Sequence, residues 1–553
     1  MPYPMQTLRN TWARIPRRWK ITFLAAFAVG LAAHAYLFLN KLPNRDDLRQ
    51  TVDAMDYFTA GRWFLFFPAS WSTANSLPWV SGLLSLCFLA AGAALVSSVL
   101  DLRAPLSCAL LGGLTAAFPS VTCTLLYLNT ADPYFFGFLL ACAAVWLAER
   151  GRWRWLLPAA LCVTLSLAIY QAYIFYAAAL CVLRWILETI GVRSLSPPVC
   201  PQTLRSGPRR TAFLLPPAAF ALGIGLHALV SQAMARRAPL QPFAGLGFLA
   251  VFRRPRELPG RALRAYREVW DFFVRDTFLA HNFAYSKYVL LALGLCAAAT
   301  AFWLTVRCAP PRRRVPRLFL LAVLLVLFPL ACHLVIFAEP AVPLRPMMLG
   351  GLSVLLLLPL AEADALPRLF PAESSARVGR WLACALCWAL SGALALLAGR
   401  YVLLSNDIYL KKQLGFEQSM AYAVRLTAAV EAVPGYTPQT AIVLAGRSVL
   451  AIDTDPALGD TAAFDPDADY NLANAYSFDY LLRYYIGWQN PVILLRAEEF
   501  PETVSAAPPG TPFESGTPFE SLPCYPAPGS MVWLEDGSLL VKLGDGEKPE
   551  TPK

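Results

Sequence analysis

The apolar run Ile21-Thr-Phe-Leu-Ala-Ala-Phe-Ala-Val-Gly-Leu-Ala-Ala-His-Ala-Tyr-Leu-Phe-Leu39 leads into a polar segment, Lys41-Leu-Pro-Asn-Arg-Asp46-Asp47-Leu-Arg49. The run has the length of about 20 residues that an α-helix needs to cross a bilayer. It is preceded by five cationic residues and no acid, at positions Arg9, Arg14, Arg17, Arg18 and Lys20. The positive-inside rule therefore places the N-terminus in the cytoplasm and the polar segment outside.

The composition of the whole chain follows the same pattern. Of its 553 residues, 57% are hydrophobic and only 15% are charged, whereas soluble proteins carry about 25% charged residues. Apolar runs of similar length recur along the chain, which predicts a polytopic, all-α membrane protein. The net charge of +11 suits a protein beside anionic lipid headgroups. No basic nucleic-acid-binding domain stands out, so nucleic acid is not expected as a partner.

We predict about 11 transmembrane helices, with the N-terminus inside and the C-terminus outside. The apolar run over 156–187 is too long for one crossing, and we divide it near Tyr170-Gln171-Ala-Tyr173, because polar groups at that depth need a protein-lined or water-facing place. The other predicted helices cover 21–39, 78–100, 105–127, 133–148, 212–230, 286–306, 318–337, 347–361 and 381–403. The external loops are then 40–77, 128–134, 231–285 and 338–346.

The external loop 231–285 is unusually basic. It contains nine arginines, at positions Arg236, Arg237, Arg253, Arg254, Arg256, Arg261, Arg264, Arg267 and Arg275. Either the helix count is off by a pair, or these arginines act outside, where a guanidinium matches the oxygens of a lipid phosphate. Simple contact with headgroups explains most of them equally well.

Residues 404–553 are more polar and contain no run long enough to span a bilayer, so we divide the chain into a transmembrane domain, 1–403, and an extracytoplasmic domain, 404–553. Gln418–Val433 is predicted as a helix, and the segments 440–445 and 490–495 as strands of a small α/β domain. The hexapeptide Gly510-Thr-Pro-Phe-Glu-Ser515 is repeated directly afterwards, which is typical of a loop insertion.

Three carboxylates on predicted external loops are the catalytic candidates. Asp46 and Asp47 are adjacent, so their side chains point in different directions. One could act as the general base on an acceptor hydroxyl, and the other could cap the following helix. Asp132 lies on the next external loop. The alternative is that all three acids are simply solvated.

Other polar residues are candidates for binding substrate. Tyr170, Gln171 and Tyr173 could recognise sugar hydroxyls and stack on a pyranose, or could satisfy one another between helices. Arg345 could hold a donor phosphate. His281 could contact substrate, although a lone histidine is more often structural. The sequence has no Walker, GxGxxG, GxSxG or HExxH motif, and we assign no metal ligand, although a divalent metal remains compatible with the acids.

Several of these features occur together in a known order. Asn44-Arg-Asp46-Asp47 follows helix 1, and Gly61-Arg62-Trp63, Tyr134-Phe-Phe136 and Tyr170-Gln171-Ala-Tyr173 come next. Ala421-Tyr422-Ala-Val-Arg425 and Ile442-Val-Leu follow the last helix. In their order and coverage they resemble the glucosyltransferase II family of serotype-converting, O-antigen-modifying enzymes.

The resemblance implies a GT-C-like membrane glycosyltransferase. It would move a hexose, with glucose as the sugar, from a polyprenyl-phosphate-linked donor to a surface glycan such as O-antigen in lipopolysaccharide. The reaction would occur on the outer face of the bacterial cytoplasmic membrane. Asp46 or Asp47 would be the base, Asp132 would assist with the acceptor or a metal, and Arg62 and Tyr134 would bind substrate. A small flippase and a donor-synthesising membrane glycosyltransferase would be partners.

Two rival functions fit the same helices. A transporter or flippase for the lipid-linked sugar would need charged residues inside the spans, whereas the candidate acids are predicted at helix ends. A non-catalytic membrane scaffold could present the C-terminal domain, and would keep its function without the three acids.

Overall fold

The computed structural model describes most of the chain. The described residues are 3–50, 60–72, 75–191, 209–236, 253–275, 286–337, 344–370, 377–448, 471–495, 499–500, 503–504 and 517–544. They form two compact units, the first over 1–41 and 54–407 and the second over 42–53 and 408–553. The polar segment after the first membrane helix thus groups with the C-terminal residues, a relation that the sequence did not predict.

The fold is that of a polytopic, all-α membrane protein with a small sheet in its C-terminal part. The helices are α1 (Pro4–Arg14), α2 (Arg17–Leu39), α3 (Arg45–Gln50), α4 (Phe66–Ala69), α5 (Pro78–Val99), α6 (Pro105–Ala117), α7 (Pro119–Leu125), α8 (Leu128–Ala148), α9 (Leu156–Leu167), α10 (Tyr173–Ile190), α11 (Arg209–Ala235), α12 (Leu258–Phe273), α13 (Ser286–Cys308), α14 (Pro311–Cys332), α15 (Leu357–Leu369), α16 (Arg377–Glu431) and α17 (Phe478–Tyr480). The strands are β1 (Ile442–Ala445), β2 (Val492–Leu495), β3 (Thr503–Val504), β4 (Thr517–Pro518), β5 (Met531–Trp533) and β6 (Leu539–Lys542).

Nine helical segments within the described residues are long and apolar enough to cross a membrane. A tenth span arises if α6 and α7 are counted together, since they are bent by 45° at one break. Pro119 explains that bend, because proline cannot donate the helical hydrogen bond and disfavours helical geometry in the residue before it. The shorter apolar helix α9 corresponds to the remaining one of the eleven predicted transmembrane helices.

The helices of the first unit pack closely where small residues face a neighbour. A Cβ atom built on Gly112 of α6 would lie 2.5 Å from the carbonyl oxygen of Thr22 in α2. Since real Cβ atoms do not approach that closely, this glycine allows the two backbones to touch. In α5, Gly92 likewise makes room for α8, because the ring of Phe138 lies where a side chain at this glycine would be.

The second unit is built on a four-stranded sheet with the order β2-β1-β6-β5. Strand β1 is parallel to both of its neighbours, and β5 pairs antiparallel with β6. The two strands predicted from the sequence are β1 and β2, and both are confirmed. One face of the sheet packs against α3, the end of α16 and α17 through Leu48, Tyr422, Leu426 and Phe478.

Candidate active site

Asp132 is the most unusual polar residue of the first unit. The sequence predicted a loop over 128–134, but these residues form the first turns of α8, and Asp132 is only 1% exposed. Its Oδ2 accepts a 2.7 Å hydrogen bond from the hydroxyl of Ser72. Its Oδ1 is buried and has no hydrogen-bond partner among the described residues. Because a buried acceptor without a donor costs about 1–3 kcal/mol, this oxygen is available for a ligand.

Near Asp132 in sequence, Tyr134 of α8 contacts two side chains from turns, Arg62 before α4 and Tyr170 between α9 and α10. Nη1 of Arg62 donates a 2.6 Å hydrogen bond to the hydroxyl of Tyr134. The rings of Tyr134 and Tyr170 are stacked, with 4.4 Å between their centroids and 9° between their planes. The guanidinium carbon of Arg62 lies 5.6 Å from the first centroid and 5.4 Å from the second, within the range of a cation–π contact.

The predicted break in the long apolar run is confirmed. Helix α9 ends at Leu167 and α10 begins at Tyr173, so the YQAY segment forms the turn between them. The amide of Phe64 donates to the carbonyl of Ala168 at 3.1 Å, which joins the segment containing Arg62 to this turn. The ring of Tyr170 meets that of Tyr173 edge-on at 5.4 Å.

Gln171 occupies the same turn and is only half-buried. Its amide nitrogen has no hydrogen-bond partner within the described part of the chain. Beside the turn, a small cavity is lined by Tyr173, Tyr176 and Thr124 together with other hydroxyl and apolar side chains. The tyrosines predicted to bind substrate thus lie together, and Arg62 joins them.

The two adjacent acids of the second unit have different roles. Asn44 is the N-cap of α3, and its Oδ1 accepts from the amides of Asp46 and Asp47, both at 2.8 Å. Oδ2 of Asp47 accepts from the amide of Asn44 at 3.2 Å, so the pair forms a reciprocal capping box. Asp47 is 1% exposed. Its carboxylate therefore serves the helix terminus.

Asp46 is half-buried and faces a different partner. Its Oδ1 accepts a 2.6 Å hydrogen bond from the phenol of Tyr476. The hydroxyl of Ser477 donates to the carbonyl of Arg45 at 2.5 Å, which holds α3 beside this tyrosine. Burial, with the hydrogen bond and charge of Asp46, raises the pKa of Tyr476 well above its usual value. The phenol thus stays a proton donor to the carboxylate.

Some predicted residues are not brought into these clusters. His281 lies outside the described residues, as do 338–343 in the predicted loop before Arg345. Arg345 is half-buried and immediately precedes the 3₁₀ helix Pro346–Leu356. No group of three or more histidine, cysteine or acidic side chains suited to a metal is found among the described residues.

Sequence reasoning missed two residues of these clusters. Ser72, the partner of Asp132, and Tyr476, the partner of Asp46, carry no motif and are distant in sequence from the acids that they contact. Both pairings come from tertiary structure. For Tyr476, the available signal was a local enrichment in tyrosine, with Tyr480, Tyr484 and Tyr485 following it in the sequence.

These features define a polytopic membrane protein with a buried carboxyl and a cation–aromatic cluster in its helical unit. The family model described as glucosyl transferase GtrII matches residues 35–358, which is more than half of the chain, and the chain belongs to this family. The matched range includes Asp46, Arg62, Asp132, Tyr134 and Tyr170. The protein is accordingly a membrane glycosyltransferase. No curated protein and no solved structure matches it.

Proposed function

We propose that the protein transfers glucose from a polyprenyl-phosphate-linked donor to a hydroxyl of a cell-surface glycan such as O-antigen. The reaction would take place on the outer face of the cytoplasmic membrane. Membership of the glucosyl transferase family supports the sugar transfer. The observation that carries the site is Asp132, a buried carboxyl with one oxygen held by Ser72 and the other without a partner among the described residues.

The stacked rings of Tyr134 and Tyr170 are proposed as the edge of the sugar subsite. Aromatic faces pack against the C–H faces of a pyranose, and the hydroxyls of tyrosine can donate to or accept from its oxygens. Arg62 carries a fixed positive charge at the edge of these rings. It would stabilise the negative charge that develops on the leaving phosphate. Gln171 and Tyr173 would add hydrogen bonds to sugar hydroxyls.

Asp46 is proposed as the general base, because the carboxylate of Asp47 already serves the cap of α3. The carboxylate would take the proton of the acceptor hydroxyl while the hydroxyl oxygen of the acceptor forms a bond to the anomeric carbon. The bond from that carbon to the phosphate oxygen breaks, and polyprenyl phosphate leaves with the electron pair. Asp132 would orient the acceptor through its available oxygen. Because the leaving group is an anion of low basicity, no general acid is required.

Two residue assignments come from the sequence alone, and two partners come from the family resemblance. Arg345 is proposed to contact the donor phosphate, and His281 to contact substrate. A small flippase that delivers the donor and a membrane glycosyltransferase that makes it are the proposed partners. A divalent metal at Asp132 would need further ligands from substrate or water, since no cluster of protein ligands surrounds it in the described residues.

The test is mass spectrometry of surface glycan from a deletion strain complemented with variants. Wild type should restore one hexose per repeat, and Asp46→Asn and Asp132→Asn should restore less than about a hundredth of it, the scale of a lost catalytic group. Asp47→Asn is the matched control, because it neutralises the adjacent carboxylate and is expected to restore the hexose. Blotting of each variant in the membrane fraction checks expression.

Two results would overturn the proposal. If deletion leaves the glycan mass unchanged, the protein does not glucosylate that glycan. If Asp46→Asn and Asp132→Asn both restore it fully, transfer occurs without these acids.

One observation favours transport of the lipid-linked sugar as a second candidate. Glu362 lies in α15, within a candidate span, and is fully buried. Neither of its carboxyl oxygens has a hydrogen-bond partner among the described residues. Buried acids inside spans often mark transport pathways. A loss of sugar translocation into vesicles with Glu362→Gln, while transfer to an exogenous acceptor persists, would support this candidate.

A further inference from the structure

Helix α12 borders an open groove in the first unit. The helix is amphipathic, and its apolar side, with Trp270 and Phe273, faces α13, α14 and the start of α15. The groove walls are almost entirely hydrocarbon, and the total empty volume is about 1340 Å³, including space that is open to the surroundings. Apart from the backbone of α13 itself and the two residues adjacent in sequence, no atom of the described residues lies within 4 Å of a Cβ built on Gly294, and Leu295 is 72% exposed. The groove is therefore open to the surroundings at Gly294 and Leu295 of α13.

A charged recess adjoins the groove at α12. It is lined by Tyr266, Arg267, Trp270, Asp271 and Arg275, and two of these residues, Tyr266 and Trp270, also line the groove. Two arginines and one aspartate leave one net positive charge there. The phenol of Tyr266 donates to the carbonyl of Val326 in α14 at 2.6 Å, which fixes the shared wall. The polar recess and the apolar groove thus lie on either side of a shared wall formed by Tyr266 and Trp270.

Arg267 differs from the other arginines of α12. Arg261 pairs with Glu257 at 3.3 Å, and Arg264 pairs with Glu268 at 2.6 Å. Beyond the helix, Arg275 lies 3.6 Å from Asp271. Arg267 is exposed and makes no ion pair with any described residue. Glu257, Glu268 and Asp271 therefore neutralise the neighbouring arginines and leave the guanidinium of Arg267 available at the mouth of the groove.

We propose that this groove and recess bind an anionic phospholipid of the surrounding bilayer, such as phosphatidylglycerol. Its phosphate lies against Arg267, and one acyl chain lies in the groove past Gly294. A single negative headgroup matches the single net positive charge of the recess, and the donors of an arginine guanidinium match the oxygens of a phosphate. This site is separate from the proposed transfer reaction, because neither Arg62, Asp132 nor the stacked tyrosines line it.

The test is native mass spectrometry of the full chain released from detergent after incubation with one lipid at a time. Wild type should retain one phosphatidylglycerol. Arg267→Gln should lower its occupancy at least fivefold by removing the cation, and Gly294→Leu should do so by filling the groove. The matched controls, expected to leave occupancy unchanged, are Arg313→Gln, an exposed arginine of α14, and Gly392→Leu, an open helical glycine of α16.

Three outcomes overturn the proposal. Equal phosphatidylglycerol occupancy in Arg267→Gln and Arg313→Gln would show that the recess does not bind the headgroup. Equal retention of phosphatidylethanolamine and phosphatidylglycerol shows that the headgroup charge is not recognised. Displacement of phosphatidylglycerol by an equal concentration of polyprenyl phosphate assigns the groove to an isoprenoid lipid instead. Gly294→Leu keeps the test decisive if Arg267→Gln does not fold, since leucine favours a helix more than glycine.

Discussion

The phenol of Tyr476 donates a 2.6 Å hydrogen bond to the carboxylate of Asp46, across 430 residues of sequence. Only one carboxylate oxygen takes part in this bond. The tyrosine therefore fixes the orientation of the carboxylate that we propose as the base. It is a positioning residue, and its effect should appear in the rate.

Replacing Tyr476 with phenylalanine keeps the ring and removes the donor. A hydrogen bond to a charged group contributes about 1.5–3 kcal/mol, so we expect kcat to fall about tenfold or more while the KM for the donor changes little. The measurement is transfer of radiolabelled glucose from lipid-linked donor by the purified protein. Tyr484→Phe, at an exposed position nearby, serves as control and should keep full activity. Equal rates in both variants would contradict the positioning role.

The capping box at the start of α3 predicts a different phenotype for the neighbouring positions. Asn44→Ala removes the acceptor for two backbone amides, and loss of an N-cap costs about 1 kcal/mol. Both Asn44→Ala and Asp47→Asn should lower the melting temperature measured in detergent. Specific activity well below the melting transition should stay near that of wild type. A large loss of activity in Asp47→Asn with an unchanged melting temperature would instead assign catalysis to Asp47.

Arg62 and the stacked tyrosines predict a graded series. Tyr134→Phe removes the hydrogen bond from Arg62 but keeps the stack, whereas Tyr134→Leu removes both. If the rings bind the sugar, the KM for the donor should rise only slightly in the first variant and about tenfold in the second. Arg62→Lys keeps the charge but not the planar guanidinium, and should lower kcat. A KM that is the same in Tyr134→Phe and Tyr134→Leu would argue against the aromatic subsite.

The membrane helices and the two strands could be predicted because hydropathy and its period are local properties of the sequence. The break at Tyr170 was also local, since polar groups interrupt an apolar run. The end of α16 could not be predicted from such local properties. The predicted helix ends at 403, but α16 continues to Glu431. No proline or glycine occurs over 401–414, so loss of hydropathy there marks a change of surroundings without breaking the helix.

The candidate site was only partly predictable for the same reason. The sequence offered Asp46 and Asp47 as equals, and one capping and one catalytic role were expected without an assignment. Only the backbone geometry of Asn44 shows which carboxylate faces the helix terminus. For Asp132, the sequence predicted a position on an external loop, where the acid could be catalytic or simply solvated. The structure buries it in α8, and the partner on Ser72 depends on tertiary packing.

The contact between Glu268 of α12 and His333 predicts a specific dependence on pH. Nε2 of His333 lies 2.6 Å from Glu268 Oε2, and Arg264 binds the other oxygen. Burial acts to raise the pKa of Glu268, but the hydrogen bonds and charges of His333 and Arg264 outweigh it and hold the pKa below its usual value. A lowered carboxyl pKa stabilises the fold above the unfolded value of about 4.3. That stability is lost as the pH falls through the folded pKa.

We therefore expect Glu268→Gln to lower the melting temperature in detergent at pH 6, with a smaller difference from wild type at pH 3.5. Glu257→Gln is the matched control on the same segment. Its ion pair with Arg261 involves a carboxylate that is 42% exposed, and exposed pairs contribute about 0–1 kcal/mol. It should change the melting temperature little at either pH. A difference between wild type and Glu268→Gln that is equal at both pH values would show that the charge of Glu268 does not hold α12 in place.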